Sequence, residues 1–359
     1  MEYHVDGFRF DLAPILCRGR DGNLMESPPL IEAIDEDPVL RGVKMIAEAW
    51  DAAGAFQVGG FPSSRWAEWN GIYRDNIRRF WSGEPGRLSA FATSVLGSED
   101  LYGGEPMGAC KSVNFICCHD GFSLRDLVSY REKHNEANLE NNRDGENNNH
   151  SNNFGVEGET QDPKIKELRL RMQKNFLATL LVSRGIPMIP SGDERARTQK
   201  GNNNAYCQDN ELSWLDWTPN EESKELLSFF KKMVRLRECM PALKFDGLVH
   251  DQGPEIASER VHWIGPDNRG PNWNDDQAVG LRLSGKAKNL RRKEDAEDVL
   301  IYFNASAKPV RFQLPDTDNY KWRMRAYTTT RRVHRSNLGT SIQTKPHSVV
   351  IFSAASKKH

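Results

Sequence analysis

The chain has 359 residues, 49 of them basic and 50 acidic, for a formal charge of −1. That balance argues against electrostatic capture of nucleic acid or of an anionic membrane and points to an uncharged ligand. Apolar runs such as 176–182 are far too short to span a bilayer, no basic-then-apolar leader follows Met1, and six cysteines without paired spacing or a C-x-x-C read as reduced, cytoplasmic thiols.

The first expected element is a strand over 3–12 (YHVDGFRFDL). Period-2 alternation puts Val5, Gly7, Arg9 and Asp11 on one face. A chain that opens directly on a core strand is expected to lack the start of its fold, because a parallel strand needs neighbours on both sides. Arg9 beside Asp11 favours the ionised carboxylate, which suits a nucleophile and suits a structural ion pair equally well. Ser27 as N-cap with Pro28 behind it predicts a helix over 28–40. A second strand is expected over 43–47 (VKMIA), ending in Glu48, Ala49, Trp50 and Asp51. An acid leaving an apolar strand beside a tryptophan is placed where desolvation raises its pKa, as a general acid requires; a helix-capping carboxylate is the alternative.

Helical spacing then predicts a helix over 73–81, and a third strand follows over 113–118 (VNFICC), ending in His119 and Asp120. Taken alone, that pair reads as a functional strand-end acid or as a capping aspartate beside a satisfied histidine. The stretch 134–160 is a loop unusually long for a compact domain, either functional or disordered. Its asparagines, with a second group at Asn202, Asn203 and Asn204, suit sugar hydroxyls, because amides both donate and accept. A helix over 164–182 opens after Asp162-Pro163 and stops before Gly185, a fourth strand is expected over 186–189, and another helix over 221–238. Alternating strands and helices imply a parallel βαβ sheet or barrel. Beyond 244 the helical period vanishes, and β-type runs at 300–303, 310–314, 322–327 and 349–352 suit an antiparallel sandwich. The stretch 285–298 reads as a solvated charged loop.

Three carboxylates, Asp11, Glu48 and Asp120, thus fall at the C-terminal ends of three expected parallel strands, where barrel active sites are built. A retaining glycosidase needs a nucleophilic carboxylate and an acid/base carboxylate roughly 5 Å apart. The segments DGFRFDLA (6–13), IAEAWD (46–51) and FICCHDGFSLRDLVSY (115–130) closely resemble three of the four signature regions of the α-amylase superfamily. The segments 47–62, 65–81, 134–149, 155–160 and 201–217 resemble the isoamylase-type glycogen debranching enzymes.

That resemblance implies Asp11 as nucleophile, Arg9 as its companion, Glu48 as general acid/base, and His119 with Asp120 as the grip on the reacting glucose, with Trp50 and Asp51 also in substrate binding. It implies an α/β fold: 1–243 as part of a (β/α)8 TIM barrel, about strands 4 to 8, and 244–359 as a C-terminal antiparallel β-sandwich. The implied reaction is hydrolysis of α-1,6 branches in glycogen, amylopectin or limit dextrin, without metal or other cofactor, in the cytoplasm or, in a photosynthetic host, the plastid stroma. Three alternatives stand beside it: an α-1,4-glucan hydrolase or transferase, a non-catalytic glucan-binding subunit, and an inactive truncated fragment. Two positions depart from the family pattern. Arg195 stands where an aromatic residue is usual, and Phe154 where a smaller or more polar one is common. No counterpart of the remaining signature region or of the first three strands is present.

Overall fold

The computed structural model describes residues 4–243, 261–266, 269–284, 297–316, 320–329 and 340–356. Most of the charged stretch 285–298, the first residue of the expected opening strand, and the segment that follows the expected boundary at 243 lie outside them.

β1 (Gly7–Phe10) is shorter than the expected strand, because Leu12 turns the chain in the left-handed region at φ 43°. α1 (Pro29–Glu36) starts on Pro28 rather than on Ser27 and stops at Asp37, whose extended backbone suits the proline that follows. β2 (Lys44–Ala47) and β3 (Ala67–Trp69) come next, then α2 (Gly71–Trp81), whose N-cap Asn70 accepts from the Tyr73 N–H at 2.8 Å. The short α3 (Leu88–Val95) and α4 (Glu99–Tyr102) lead to β4 (Ser112–Phe115), and α5 (Leu124–Leu127) follows it. α6 (Pro163–Val182) is capped by Asp162, as expected, and leads into β5 (Ile186–Met188). α7 (Glu221–Cys239) opens on a capping box between Asn220 and Ser223.

The five strands form one parallel sheet in the order β1-β2-β3-β4-β5. Gly7 pairs with Lys44, Ile46 with Ala67, Trp69 with Val113, and Phe115 with Met188. β3 escapes sequence reading because its central residue is a fully buried acid. Glu68 accepts from the Gly59 N–H at 2.6 Å and pairs with buried Lys111 at 3.6 Å, so a polar letter occupies a core position.

In the C-terminal region lie β6 (Val261–Ile264), β7 (Ala278–Leu283), β8 (Asp298–Asn304), β9 (Val310–Gln313), β10 (Tyr320–Tyr327), β11 (Ser341–Thr344) and β12 (Ser348–Ser356). β10-β12-β8-β7-β6 make a five-stranded sheet and β11-β9 a two-stranded one, with antiparallel pairing in both. The expected sandwich is therefore unequal. Leu300 and Tyr302 of β8 face the small sheet, where the Tyr302 and Phe312 rings stack at 4.3 Å. Val299, Ile301 and Phe303 point the other way, into a core shared with α2, α3, α6 and α7, and Phe303 meets Phe91 at 5.1 Å. With both faces covered, β8 is buried almost throughout. Among the described residues no helix is long and apolar enough to cross a membrane.

Candidate active site

The parallel sheet delivers its chemistry just past the C-terminal ends of its strands. Arg9 and Asp11 point the same way, as the alternation of β1 requires, and Arg9 Nη1 donates to Asp11 Oδ1 at 2.6 Å. Arg9 Nη2 lies 2.9 Å from Glu48 Oε1 as a second ion pair, so one guanidinium bridges two carboxylates. Glu48 leaves the neighbouring strand, and its Oε2 accepts from the Leu12 N–H at 2.8 Å. The left-handed turn at Leu12 aims that N–H at the acid.

Burial separates the two carboxylates. The Asp11 side chain is 66% exposed, whereas that of Glu48 is 2% exposed. Desolvation pushes the Glu48 carboxyl up, against the Leu12 N–H and Arg9, which pull it down; Asp11 adds to the rise and His119 opposes it. Arg9 is held from the other side by Trp69, whose ring centre lies 4.1 Å from the guanidinium carbon. The Trp69 ring also meets that of His119 at 5.7 Å. Sequence reading gave Trp69 no part, because the strand that carries it was hidden by Glu68.

His119 and Asp120 lie beyond the end of β4, more than half exposed, with Nε2 to Oδ1 at 3.5 Å. One donor atom each from Asp11, Glu48 and His119 lie within 4.8 Å of one another. Sequence spacing showed no such cluster; the fold makes one. By distance alone the three could hold a metal ion, but the Arg9 guanidinium already supplies positive charge to both carboxylates there.

Trp50 and Asp51 turn inward. Trp50 is partly buried, 6.4 Å from Phe56 and 6.5 Å from Trp69, ring to ring. Asp51 is bound through Oδ2 to Arg18 Nε at 2.8 Å and through Oδ1 to the N–H groups of Ala53 and Ala55, each at 2.9 Å. Its carboxyl lies below the usual range: burial raises it, and the N–H of Ala55, Arg18 and the N–H of Ala53 together outweigh that.

The asparagines were expected to face sugar; the structure corrects this for five of them, while Asn141, Asn147 and Asn148 stay exposed and Asn204 lines the candidate cavity. Asn135, Asn138, Asn149, Asn202 and Asn203 are buried and bond mainly to one another and to backbone. Asn135 Nδ2 donates to Asn203 Oδ1 at 2.8 Å, and Asn203 Nδ2 donates to the Glu146 carbonyl at 2.7 Å. These amides bind the long loop to the segment after β5. The segment after β5 forms one wall of a cavity of about 400 Å³ lined by Trp69, His119, Asp120, Arg197, Asn204 and Tyr206, among others. Arg195, the departure from the family pattern, lies over the Trp217 ring at 5.4 Å and donates to the Trp217 carbonyl at 3.0 Å, so a cation takes the place of an aromatic partner. Phe154 packs against the main core and meets His347 at 6.3 Å.

Carboxylates gathered past the ends of parallel strands are an arrangement found in glycoside hydrolases, and comparison with known proteins supplies the family. No protein-family model matches the chain. It is 45% identical over 330 residues to the glycogen operon protein GlgX homolog of Mycobacterium tuberculosis (strain ATCC 25618 / H37Rv), a match covering 88% of this chain and 45% of that protein. It is 40% identical over 342 residues to chloroplastic isoamylase 1 of Oryza sativa subsp. japonica, covering 89% of this chain and 41% of that one. Among solved structures, the pullulanase from Anoxybacillus sp. LM18-11 complexed with maltotetraose aligns with 99% of the chain and 44% of its own, with a TM-score of 0.68 and 22% identity. The chain belongs to the isoamylase-type glycogen debranching family, and it spans somewhat less than half the length of the curated relatives it matches.

Proposed function

We propose that this chain carries the acid–base machinery of a retaining glycoside hydrolase that opens α-1,6 branch linkages in glycogen, amylopectin or a related α-glucan. The observation that supports it most is the clustering of Asp11 and Glu48 donor atoms within 4.8 Å around Arg9. That is close to the retaining separation and short of the roughly 6.5–9.5 Å that an inverting enzyme needs to seat a water.

Asp11, exposed and ion-paired, attacks the anomeric carbon as the C1–O6 bond breaks. Glu48, whose carboxyl burial pushes up, passes its proton to the departing O6. Water then enters, Glu48 takes its proton, and the hydroxyl displaces Asp11 from the anomeric carbon. Arg9 pairs with Asp11 at 2.6 Å and limits how far the Glu48 carboxyl rises. His119 and Asp120, exposed on the cavity wall, orient the hydroxyls of the reacting glucose. Trp50 stiffens that wall, and Asp51 holds the loop behind Glu48 in place of a direct sugar contact.

The same reading makes the parallel sheet strands 4 to 8 of a (β/α)8 barrel within 1–243, with 244–359 as the β-domain. Sequential strand order without reversal suits a barrel and not a doubly wound sheet. Phe8 and Ile186 on the two edge strands stand exposed, and an apolar groove of about 390 Å³ runs beside β5 between α6 and α7, as an open barrel wall requires. The test uses the complete polypeptide that carries this chain. Asp11→Asn and Glu48→Gln should each abolish release of linear chains from glycogen while leaving the unfolding temperature within a few degrees of wild type. Near-normal debranching by either variant sinks the assignment.

A further inference from the structure

Past β5 the chain enters a loop that presents three large rings to solvent. Tyr206 is 71% exposed, Trp214 60% and Trp217 67%. Leaving such rings in water forfeits about 1.5–3 kcal/mol of burial apiece. The rings are nevertheless not loose. The Tyr206 hydroxyl donates to Glu140 at 2.5 Å, Trp214 Nε1 donates to Asp209 at 3.0 Å, and Trp217 is tied through its carbonyl and ring to Arg195. Each is anchored at a polar tip or on its backbone while much of its ring stays open. The loop beneath is equally tied: Gln208 Nε2 donates to Asn138 Oδ1 at 2.8 Å, and Asn210 Oδ1 accepts from the Leu212 N–H at 2.9 Å.

Tyr206 and Ser213 line the same cavity as His119 and Asp120, so this loop continues the proposed site. A fixed aromatic face carries negative π density, which attracts the polarised C–H face of a sugar ring as it attracts the Arg195 cation beside Trp217. From this geometry we propose that Tyr206, Trp214 and Trp217 form a stacking platform for an α-1,4-linked glucan chain, taking the glucose units beyond the reacting one and setting chain-length preference. The proposal rests on the glycosidase reading above. Rigid anchoring lowers the ordering cost of binding, which is why the loop is tied before the sugar arrives.

The test compares sugars of different length on the complete polypeptide, in an Asp11→Asn background that leaves them uncut. Calorimetry measures the Kd of maltotriose and of maltoheptaose for the parent, for Trp214→Ala/Trp217→Ala, for Tyr206→Ser and for Trp214→Phe/Trp217→Phe. Maltoheptaose affinity should fall at least tenfold in the double alanine variant, with maltotriose changed less than twofold and the phenylalanine variant near the parent. Tyr206→Ser, nearest the cavity, should weaken both sugars. Equal affinities of parent and double alanine variant for maltoheptaose overturn the platform, as does tryptophan fluorescence that acrylamide cannot quench, which means protein already covers the rings. No binding of either sugar by the parent overturns the glycosidase reading instead.

Discussion

Asn203→Ala tests whether the asparagines build the site or touch sugar. Asn203 is 1% exposed. Its amide nitrogen donates to the Glu146 carbonyl at 2.7 Å and to Asn149 Oδ1 at 3.2 Å, and its oxygen accepts from Asn135 Nδ2 at 2.8 Å. After truncation the Glu146 carbonyl keeps Asn149 Nδ2 as donor, and Asn135 Nδ2 keeps the Asp144 carbonyl as acceptor. Asn149 Oδ1 loses its amide donor. One deprived buried acceptor costs about 2 kcal/mol and two weakened contacts about 1 kcal/mol each, so the variant should lose about 4 kcal/mol. Urea unfolding reads the total, and hydrogen exchange locates it. Peptides from 134–160 and from 199–208 should lose protection together, while those from β7 and β8 stay as they were. Stability within about 1 kcal/mol of wild type, combined with a selective loss of glucan affinity, refutes the structural account and makes Asn203 a sugar ligand.

Trp69→Leu should release Arg9, weakening its pull on Glu48 and raising that carboxyl further, so the Glu48 limb of the kcat/KM pH profile moves to higher pH. A rate loss of roughly tenfold, partly restored in Trp69→Phe, is expected from a cation–π contact of 1–2 kcal/mol; an unmoved pH limb refutes the linkage. Burial lifts the Asp193 carboxyl to about 7, with the Leu124 N–H and Arg197 opposing and Asp126 and Glu194 adding to the rise. A folded value above the unfolded 3.8 means the stability it brings is present at low pH and lost as pH climbs through about 7. Asp193→Asn should therefore gain on wild type in melting temperature between pH 4 and 7, a window spanning roughly the two values, and parallel curves contradict this. Gly201 sits at φ +83°, and an added Cβ would lie 2.7 Å from Tyr130 Cδ1. Gly201→Ala should cost about 2–4 kcal/mol by denaturant titration, since left-handed strain and overpacking act together; an unchanged midpoint shows that the loop gives way without strain.

The sequence alone was enough to place Arg9 and Asp11 on one face, because strand alternation is local, and they meet at 2.6 Å. It also marked α6 and α7 to within a residue of their ends, since proline, aspartate and the amphipathic period act within a few turns. β3 was illegible because Glu68 is buried by partners far along the chain, Gly59 and Lys111, and no local pattern announces a satisfied buried acid. The place of Trp69 beneath Arg9 was lost with it. β6, β7 and β11 were also missed: β6 and β7 pair with the next strand along the chain, and β11 returns to β9, pairings that residue type alone does not mark. Residue type showed that amides and carboxylates were abundant; only the fold decided which face water. Five of the asparagines singled out as sugar contacts became buried wiring, Asp51 became the anchor of a turn, and Tyr206 stayed open beside His119. Burial is a property of the packed whole, and burial is what separates Glu48, 2% exposed and with its carboxyl pushed up by desolvation, from Asp11, 66% exposed on the same arginine.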